Sequence, residues 1–176
     1  NIEDFITKYD QPNTIVLLEG KRHVLEQDQP KLEALGKLLT EKTKHILFRS
    51  GNAQGSDSYF ANGVASVNKK RLEVITPYSG HRKKTNLANH TVSLDDVDLL
   101  HEPEVVMQSK NNKKTEKLID KYVAGDRGKL AIKAAYIIRD TIKVLGTKNV
   151  APITFGIFYD DLQNPKTGGT GHTMNV

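Results

Sequence analysis

The sequence predicts an α/β fold with a mainly parallel sheet, because short apolar runs alternate with segments of helical periodicity. Thr14–Leu18, His45–Phe48 and Leu72–Thr76 are runs of strand length. Continuous apolar runs of this kind are typical of strands that are buried on both faces of a parallel sheet. Alternation of strand and helix favours right-handed βαβ crossovers. The expected fold class is therefore a Rossmann-like three-layer α/β fold with a mainly parallel sheet.

Helical segments follow the first two strands and recur late in the chain. Asp28 followed by Pro30 is typical of the start of a helix. Asp57 is expected to open the second helix as its N-cap. Thr115–Val123 is a candidate short helix, and Lys129–Leu145 carries the clearest apolar face in the chain. These segments provide the helices that would cover the sheet.

The rest of the chain is less regular. The apolar residues of 86–128 do not recur at a regular helical or strand spacing, and we expect an irregular, partly helical section there. A fourth strand is predicted at Ile153–Phe158, and the glycine-rich segment Gly168–Thr173 is expected to turn into a helix. No internal repeat or low-complexity segment divides the sequence. We therefore expect one Rossmann-like domain over residues 1–176.

Composition favours a cytoplasmic protein without a membrane partner. The 176 residues are 37% hydrophobic and 27% charged, which is typical of a globular domain. No apolar run approaches the length that spans a membrane, and the N-terminus lacks the pattern of a signal peptide. The chain has no cysteine, which excludes disulfides and thiolate metal sites. The histidines show no metal-ligand spacing, so no metal site is predicted.

The charge balance favours an anionic partner. The formal net charge is +5 and the sequence pI is about 9.3, and basic proteins attract phosphate-bearing ligands and nucleic acids. One basic cluster, Ser109–Lys114, is interpreted as solvated surface. A second, His81–Lys84, lies beside a candidate ligand loop, and a surface role and a ligand-binding role are equally supported there. His81 is itself a candidate for hydrogen bonding to a ligand.

Three loops with glycine follow predicted strands and carry the candidate binding residues. In an open parallel sheet, ligands bind at the carboxyl ends of the strands. Glycine lets the backbone approach a phosphate, and the N–H groups at the start of the next helix point towards it. Hydroxyl groups and cations add hydrogen bonds and neutralise charge. The predicted ligand-binding residues are Gly20, Lys21, Arg22, Ser50, Gly51, Asn52, Gly55, Ser56, Arg82, Gly168, Gly169, Thr170, Gly171, His172 and Thr173.

The loops do not contain the best-known nucleotide motifs. Gly-Lys-[Ser/Thr] of the Walker loop is missing, and so is Gly-x-Gly-x-x-Gly. ATP hydrolysis of the Walker type and ordinary NAD-dependent hydride transfer are therefore not predicted, and no cofactor is assigned beyond a nucleotide-like ligand. The alternative for each loop alone is a simple turn between a strand and a helix.

The loops resemble those of two known families. Residues 50–57, Ser-Gly-Asn-Ala-Gln-Gly-Ser-Asp, resemble the Ser-Gly-x-Ala-x-Gly-x-Asp signature of the DNA-processing protein A (Smf) family. Gly20–Arg22 matches the Gly-x-Arg of that family. Residues 168–171 resemble the Pro-Gly-Gly-x-Gly-Thr loop of the LOG phosphoribohydrolases. Both families belong to the SLOG superfamily of Rossmann-like nucleotide binders, and the likeness covers residues 14–82 and 150–176.

The resemblance implies binding of a nucleotide or a nucleotide-derived small molecule, by a carrier, a sensor or an enzyme. Two alternatives remain open: single-stranded DNA binding, as in the DNA-processing family, and hydrolysis of the N-glycosidic bond of a nucleoside monophosphate. For the last, the proline and glutamate of the LOG loop are replaced by Thr167 and Asn175, and an amide cannot act as a general base. The remaining candidate catalytic carboxylates are Glu19 and Asp57.

The oligomeric state also remains open at the level of sequence. The predicted helix Lys129–Leu145 has a second apolar edge through Ala131, Ala135 and Val144. This edge would pack either within the core or against a second copy of the chain, as in a homo-oligomer.

Overall fold

A computed structural model describes residues 1–176 and confirms the α/β class. Five strands form one sheet in the order β4-β3-β2-β1-β5, and every neighbouring pair is parallel. The strands are β1 (Ile15–Gly20), β2 (Leu47–Ser50), β3 (Leu72–Thr76), β4 (His90–Ser93) and β5 (Phe155–Tyr159). The fold is consistent with a Rossmann-like three-layer arrangement.

Helices cover both faces of the sheet. They are α1 (Ile2–Tyr9), α2 (Gln29–Lys42), α3 (Ser56–Asn68), α4 (Pro103–Ser109), α5 (Glu116–Val123), α6 (Ala131–Leu145) and α7 (Gly168–Met174). Short 3₁₀ turns lie at Lys69–Arg71, Lys83–Thr85, Leu94–Asp96 and Leu99–His101. None of the helices is long and apolar enough to cross a membrane.

Two apolar clusters show that the sheet is the middle layer. On one face, side chains of β1, β2 and β3 pack with α2 and α3. The buried members of this cluster include Val16, Phe48, Leu39 and Phe60, and α1 packs at its margin. On the other face, β3 packs with α4, α5 and α6 through residues such as Ile75, Val105, Ile119 and Ile138. The second apolar edge of α6 is covered within the chain at Ala135, which is buried.

The strand order determines which loops can meet. β1 to β4 follow one another outwards in the sheet, and the chain then returns through α4, α5 and α6 to place β5 on the other side of β1. The order of the strands therefore reverses between β1 and β5, the place where open α/β sheets hold their ligands. Because all strands are parallel, the loops after β1, β2, β3 and β5 lie at the same edge.

Several local predictions need correction. β4 lies in the section 86–128, where we expected no strand. The helix predicted to begin at Asp57 is α3, which begins at Ser56 with Gly55 as its N-cap. Asp57 therefore lies in the first turn of α3 and is not its cap. The segment Gly168–Thr173 is not a loop but forms most of α7, whose N-cap is Thr167.

Candidate functional site

Lys21 joins three of the loops at the carboxyl edge of the sheet. Its carbonyl oxygen accepts hydrogen bonds from the backbone N–H (3.1 Å) and the hydroxyl (2.7 Å) of Ser56. Its ammonium group donates to the carbonyl (2.8 Å) and hydroxyl (2.7 Å) of Thr167 and lies 3.3 Å from the Asp160 carboxylate. The positive charge of Lys21, predicted to neutralise a ligand, is therefore compensated within the chain.

The loop after β2, residues 51–55, closes around a carboxylate of its own chain. Oδ2 of Asp57 accepts hydrogen bonds from the backbone N–H groups of Gly51 (3.0 Å) and Ala53 (3.2 Å). Gly55 has φ +88°, and a Cβ atom there would lie 2.1 Å from the carbonyl oxygen of Arg22. Close packing between the loops after β1 and β2 is the reason that glycine is needed at this position.

Some polar groups of this loop remain without a partner. The backbone N–H groups of Gln54 and Gly55 donate to no acceptor in the chain. They lie at the N-terminal end of α3, where the helix dipole favours negative charge. Oδ1 of Asp57 is buried and has no hydrogen-bond partner either. The N–H groups of Gln54 and Gly55 are thus free to meet a ligand, whereas the remaining oxygen of Asp57 is a buried acceptor.

A network of buried charges lies beneath the loops and ties α6 and α7 to the sheet. The Lys143 ammonium group hydrogen-bonds to the Glu19 carboxylate and lies 2.9 Å from Asp140 Oδ1. The hydroxyl of Thr173 donates to the second oxygen of Glu19 at 3.0 Å. Arg139 Nη1 donates to the carbonyl of Gly51 at 2.5 Å and so connects the network to the loop after β2.

The network sets the protonation of its acids. Burial raises the pKa of Glu19 to about 7, against the opposing effect of Lys143. Burial also opposes ionisation of Asp140, but Lys143 and Arg139 hold its pKa below the usual value. Glu19 is only 4% exposed and both of its carboxylate oxygens are hydrogen-bonded. This arrangement supports a structural role for Glu19 more than a catalytic one.

The loop after β3 is linked to the loop after β2 through Asn52. The amide of Asn52 donates to the carbonyl oxygens of His81 (3.3 Å) and Arg82 (3.4 Å). The His81 ring is only 6% exposed and packs edge-on against Tyr78 and Tyr136, with centroid distances of 5.1 and 5.7 Å. Neither ring nitrogen of His81 has a hydrogen-bond partner. A buried imidazole without partners is unusual and requires an explanation.

Three arginines surround this histidine. Burial lowers the pKa of His81, and the positive charges of Arg139, Arg82 and Arg22 lower it further. Arg139 is paired with Asp140 at 2.9 Å, whereas Arg22 and Arg82 take part in no ion pair. Nε of Arg82 is buried without a partner. Arg22 and Arg82 therefore carry positive charge that no ion pair within the chain neutralises.

The predicted residues of α7 divide into two groups. Thr170, Gly171 and Thr173 are buried, and the His172 ring lies 3.2 Å from the Thr141 hydroxyl of α6, with its pKa lowered by burial. These residues pack inwards and hold α7 in place. Gly168 and Gly169 are exposed at the start of the helix.

The sequence interpretation missed the charged residues of α6. Arg139, Asp140 and Lys143 were not considered because charged positions on a helix usually face solvent. The signal that would have found them is the second apolar edge of this helix. A helix that is apolar on two sides has little surface left for solvent, so its charged residues must be buried and paired.

Comparisons with protein-family models, with curated proteins and with solved structures gave no match. The fold and the site define an α/β protein with a Rossmann-like parallel sheet and an uncompensated basic edge. Membership of the SLOG superfamily stays a prediction from the loop sequences.

Proposed function

We propose that this chain binds a nucleotide or a nucleotide-derived small molecule, with a phosphate group held at the carboxyl edge of the sheet. The observation that carries the proposal is the pair of arginines, Arg22 and Arg82, which form no ion pair and whose loops both contact the loop after β2. Gly55 of that loop packs against the backbone of Arg22, and Asn52 donates to the carbonyl of Arg82. Guanidinium groups are well suited to phosphate because they donate two parallel hydrogen bonds. The phosphate would lie between these two side chains.

Backbone groups would complete the site. The free N–H groups of Gln54 and Gly55 lie at the N-terminus of α3, a helix of 13 residues, and such ends favour anions. Asp57 already occupies the N–H groups of Gly51 and Ala53, so the phosphate would approach the later part of the loop. Tyr78, 37% exposed and packed on His81, offers an aromatic face for a base.

The geometry supports binding, as in a carrier or sensor, better than hydrolysis of an N-glycosidic bond. Hydrolysis of that kind needs a carboxylate able to contact substrate or water. The carboxylate of Glu19 is buried and engaged with Lys143 and Thr173. Asp57 keeps one free oxygen, but this oxygen is also buried.

Calorimetric titration with nucleoside mono-, di- and triphosphates tests this proposal. Arg22→Ala and Arg82→Ala should each weaken nucleotide binding about tenfold or more, because each removes a charge-assisted hydrogen bond. Lys44→Ala is the matched control, since Lys44 is an exposed cation just before β2, at the opposite edge. The absence of nucleotide binding by the unmodified chain, or an equal loss in the control, would contradict the proposal.

A further inference from the structure

The 3₁₀ turn after β3 extends the basic surface beyond Arg82. An open pocket of about 470 Å³ is lined by Gly80, Arg82, Lys83, Lys84 and Thr85, with no apolar residue among them. Lys83 and Lys84, like Arg82, form no ion pair with an acid of the chain. The pocket therefore combines three cations and no compensating charge.

The backbone of this turn is held in a defined shape. Arg82 has φ +46°, an uncommon conformation for a residue other than glycine. Its carbonyl oxygen accepts hydrogen bonds from the Asn52 amide (3.4 Å), from the Thr85 N–H (3.0 Å) and from the Thr85 hydroxyl (3.2 Å). The N–H groups of Arg82 and Lys84 donate to no acceptor in the chain. The carbonyl groups are thus satisfied while donors remain free.

A buried polar side chain without a hydrogen-bond partner lies beside this turn, although it is not one of the residues that line the pocket. His81 is buried, directly precedes Arg82, and has no partner on either ring nitrogen. Arg139, Arg82 and Arg22 each lower its pKa further, and of these three only Arg139 is paired with an acid. Its ring packs against the phenol rings of Tyr78 and Tyr136. An anion bound beside Arg82 would compensate the charge of Arg22 and Arg82.

We propose that the pocket at residues 80–85 is a second phosphate subsite, so that the ligand carries at least two linked phosphates, as a nucleoside di- or triphosphate does. This inference rests on the proposed function and extends it. Arg82, Lys83 and Lys84 line the pocket, and Arg22 lies on the loop after β1. None of these four cations forms an ion pair, whereas one phosphate monoester carries only about −1.5 to −2. Arg82 contributes to both subsites and would bridge neighbouring phosphates.

A nucleotide fits these observations better than a single strand of nucleic acid. Proteins that hold single strands place successive exposed aromatic rings along a basic groove. Beside this pocket the exposed ring is that of Tyr78, while His81 is buried and Tyr136 is partly buried. One stacking face next to a compact group of cations suits one base and a short chain of phosphates.

The test compares inorganic phosphate with pyrophosphate by calorimetry at constant ionic strength and without divalent metal. The unmodified chain should bind pyrophosphate about tenfold more tightly than phosphate, because a second set of charged contacts forms. Lys83→Ala combined with Lys84→Ala should remove this preference and change the affinity for phosphate by less than about twofold. Lys69→Ala combined with Lys70→Ala is the control, since these exposed lysines precede β3 at the opposite edge.

The outcomes separate this inference from the proposed function. Equal affinity for phosphate and pyrophosphate, with nucleoside monophosphate still bound, would overturn the second subsite alone. Failure of the unmodified chain to bind any phosphate compound would overturn both proposals. Binding of a single-stranded oligonucleotide that both lysine pairs weaken equally would replace the subsite with general polyanion binding. Thermal melting of the variants checks that the exposed lysines leave the fold intact.

Discussion

The loops after β2 and β3 are neighbours at the same edge of the sheet, yet they use their polar groups in opposite ways. In the loop after β2, the N–H groups of Gly51 and Ala53 donate hydrogen bonds to Asp57, and Gly55 packs against the backbone of Arg22. In the loop after β3, Arg82, Lys83 and Lys84 form no ion pair, and the ring nitrogens of His81 have no hydrogen-bond partner. A glycine-rich loop can therefore use several of its N–H donors for the packing of its own chain, while the adjacent basic loop keeps its cations free.

Arg139→Met should give the largest loss of stability, because this buried side chain holds the loop after β2 from below. Removing one partner of a buried ion pair typically costs about 3–5 kcal/mol, and here the carbonyl of Gly51 also loses its donor. Urea denaturation measures the effect. Lys133→Met, an exposed position on the same helix, should change the free energy of unfolding by less than about 0.5 kcal/mol. Similar values for the two variants would show that the loop does not depend on the network.

Gly55→Ala and Gly80→Ala compare the two loops directly, because both glycines have positive φ, +88° and +78°. A Cβ atom at position 55 would meet the carbonyl of Arg22 at 2.1 Å, whereas at position 80 nothing lies within 4 Å. We expect a loss of about 2–4 kcal/mol for the first change and about 1 kcal/mol for the second. Equal losses in chemical denaturation would mean that the loop after β2 is as open as its neighbour.

Glu19→Gln should alter how stability depends on pH. The pKa of Glu19 in the folded chain is raised from 4.5 to about 7 by burial. The folded state therefore binds more protons than the unfolded state between these values, so this contribution to stability is present at low pH and is lost as the pH rises through 7. A glutamine stays neutral and removes the dependence. The stability of the variant, relative to the unmodified chain, should increase between about pH 5 and pH 8.

Denaturation at several pH values measures this difference, and Glu26→Gln, at an exposed position after β1, provides the control. Parallel pH profiles for Glu19→Gln and the unmodified chain would contradict the proposed protonation of the network.

Asn52→Ala should have the smallest effect, and it tests whether the two loops act together. The amide of Asn52 makes two long hydrogen bonds, 3.3 and 3.4 Å, to the loop after β3. Their loss should cost about 1 kcal/mol of stability and weaken nucleotide binding by about fivefold, because the loop is less well positioned. Unchanged affinity in titrations would indicate that the loops bind independently of one another.

The sequence was sufficient for four of the five strands but not for β4, one of the two edge strands. Leu72–Thr76 has the predicted bounds, and the other three predicted strands overlap those observed. β1, β2 and β3 are largely buried, and burial on two faces requires continuous apolar runs. β5 is only half-buried, but its apolar residues Phe155, Ile157 and Phe158 still form a recognisable run. β4, His-Thr-Val-Ser, was missed because its first two residues are exposed. An edge strand of four residues needs too little burial to leave a pattern.

The candidate site shows the same limit. Because the strands are parallel, their carboxyl ends lie at one edge of the sheet, and the location of the candidate site could be predicted from this. The sequence could not show which donors are free, because pairing depends on residues that are distant in the chain. Lys21 is compensated by Asp160, and the hydroxyl of Thr173 donates to Glu19. Periodicity also could not show that Lys143 is buried.

Amide chemical-shift mapping during titration with a nucleoside diphosphate tests the central claim most directly. We expect the largest shifts at Arg22, Gln54, Gly55, Arg82 and Lys84, with little change at Lys44, Lys69 and Lys70 across the sheet. Shifts confined to the opposite edge, or no shift at millimolar nucleotide, would contradict a phosphate-binding site at the carboxyl ends of the strands.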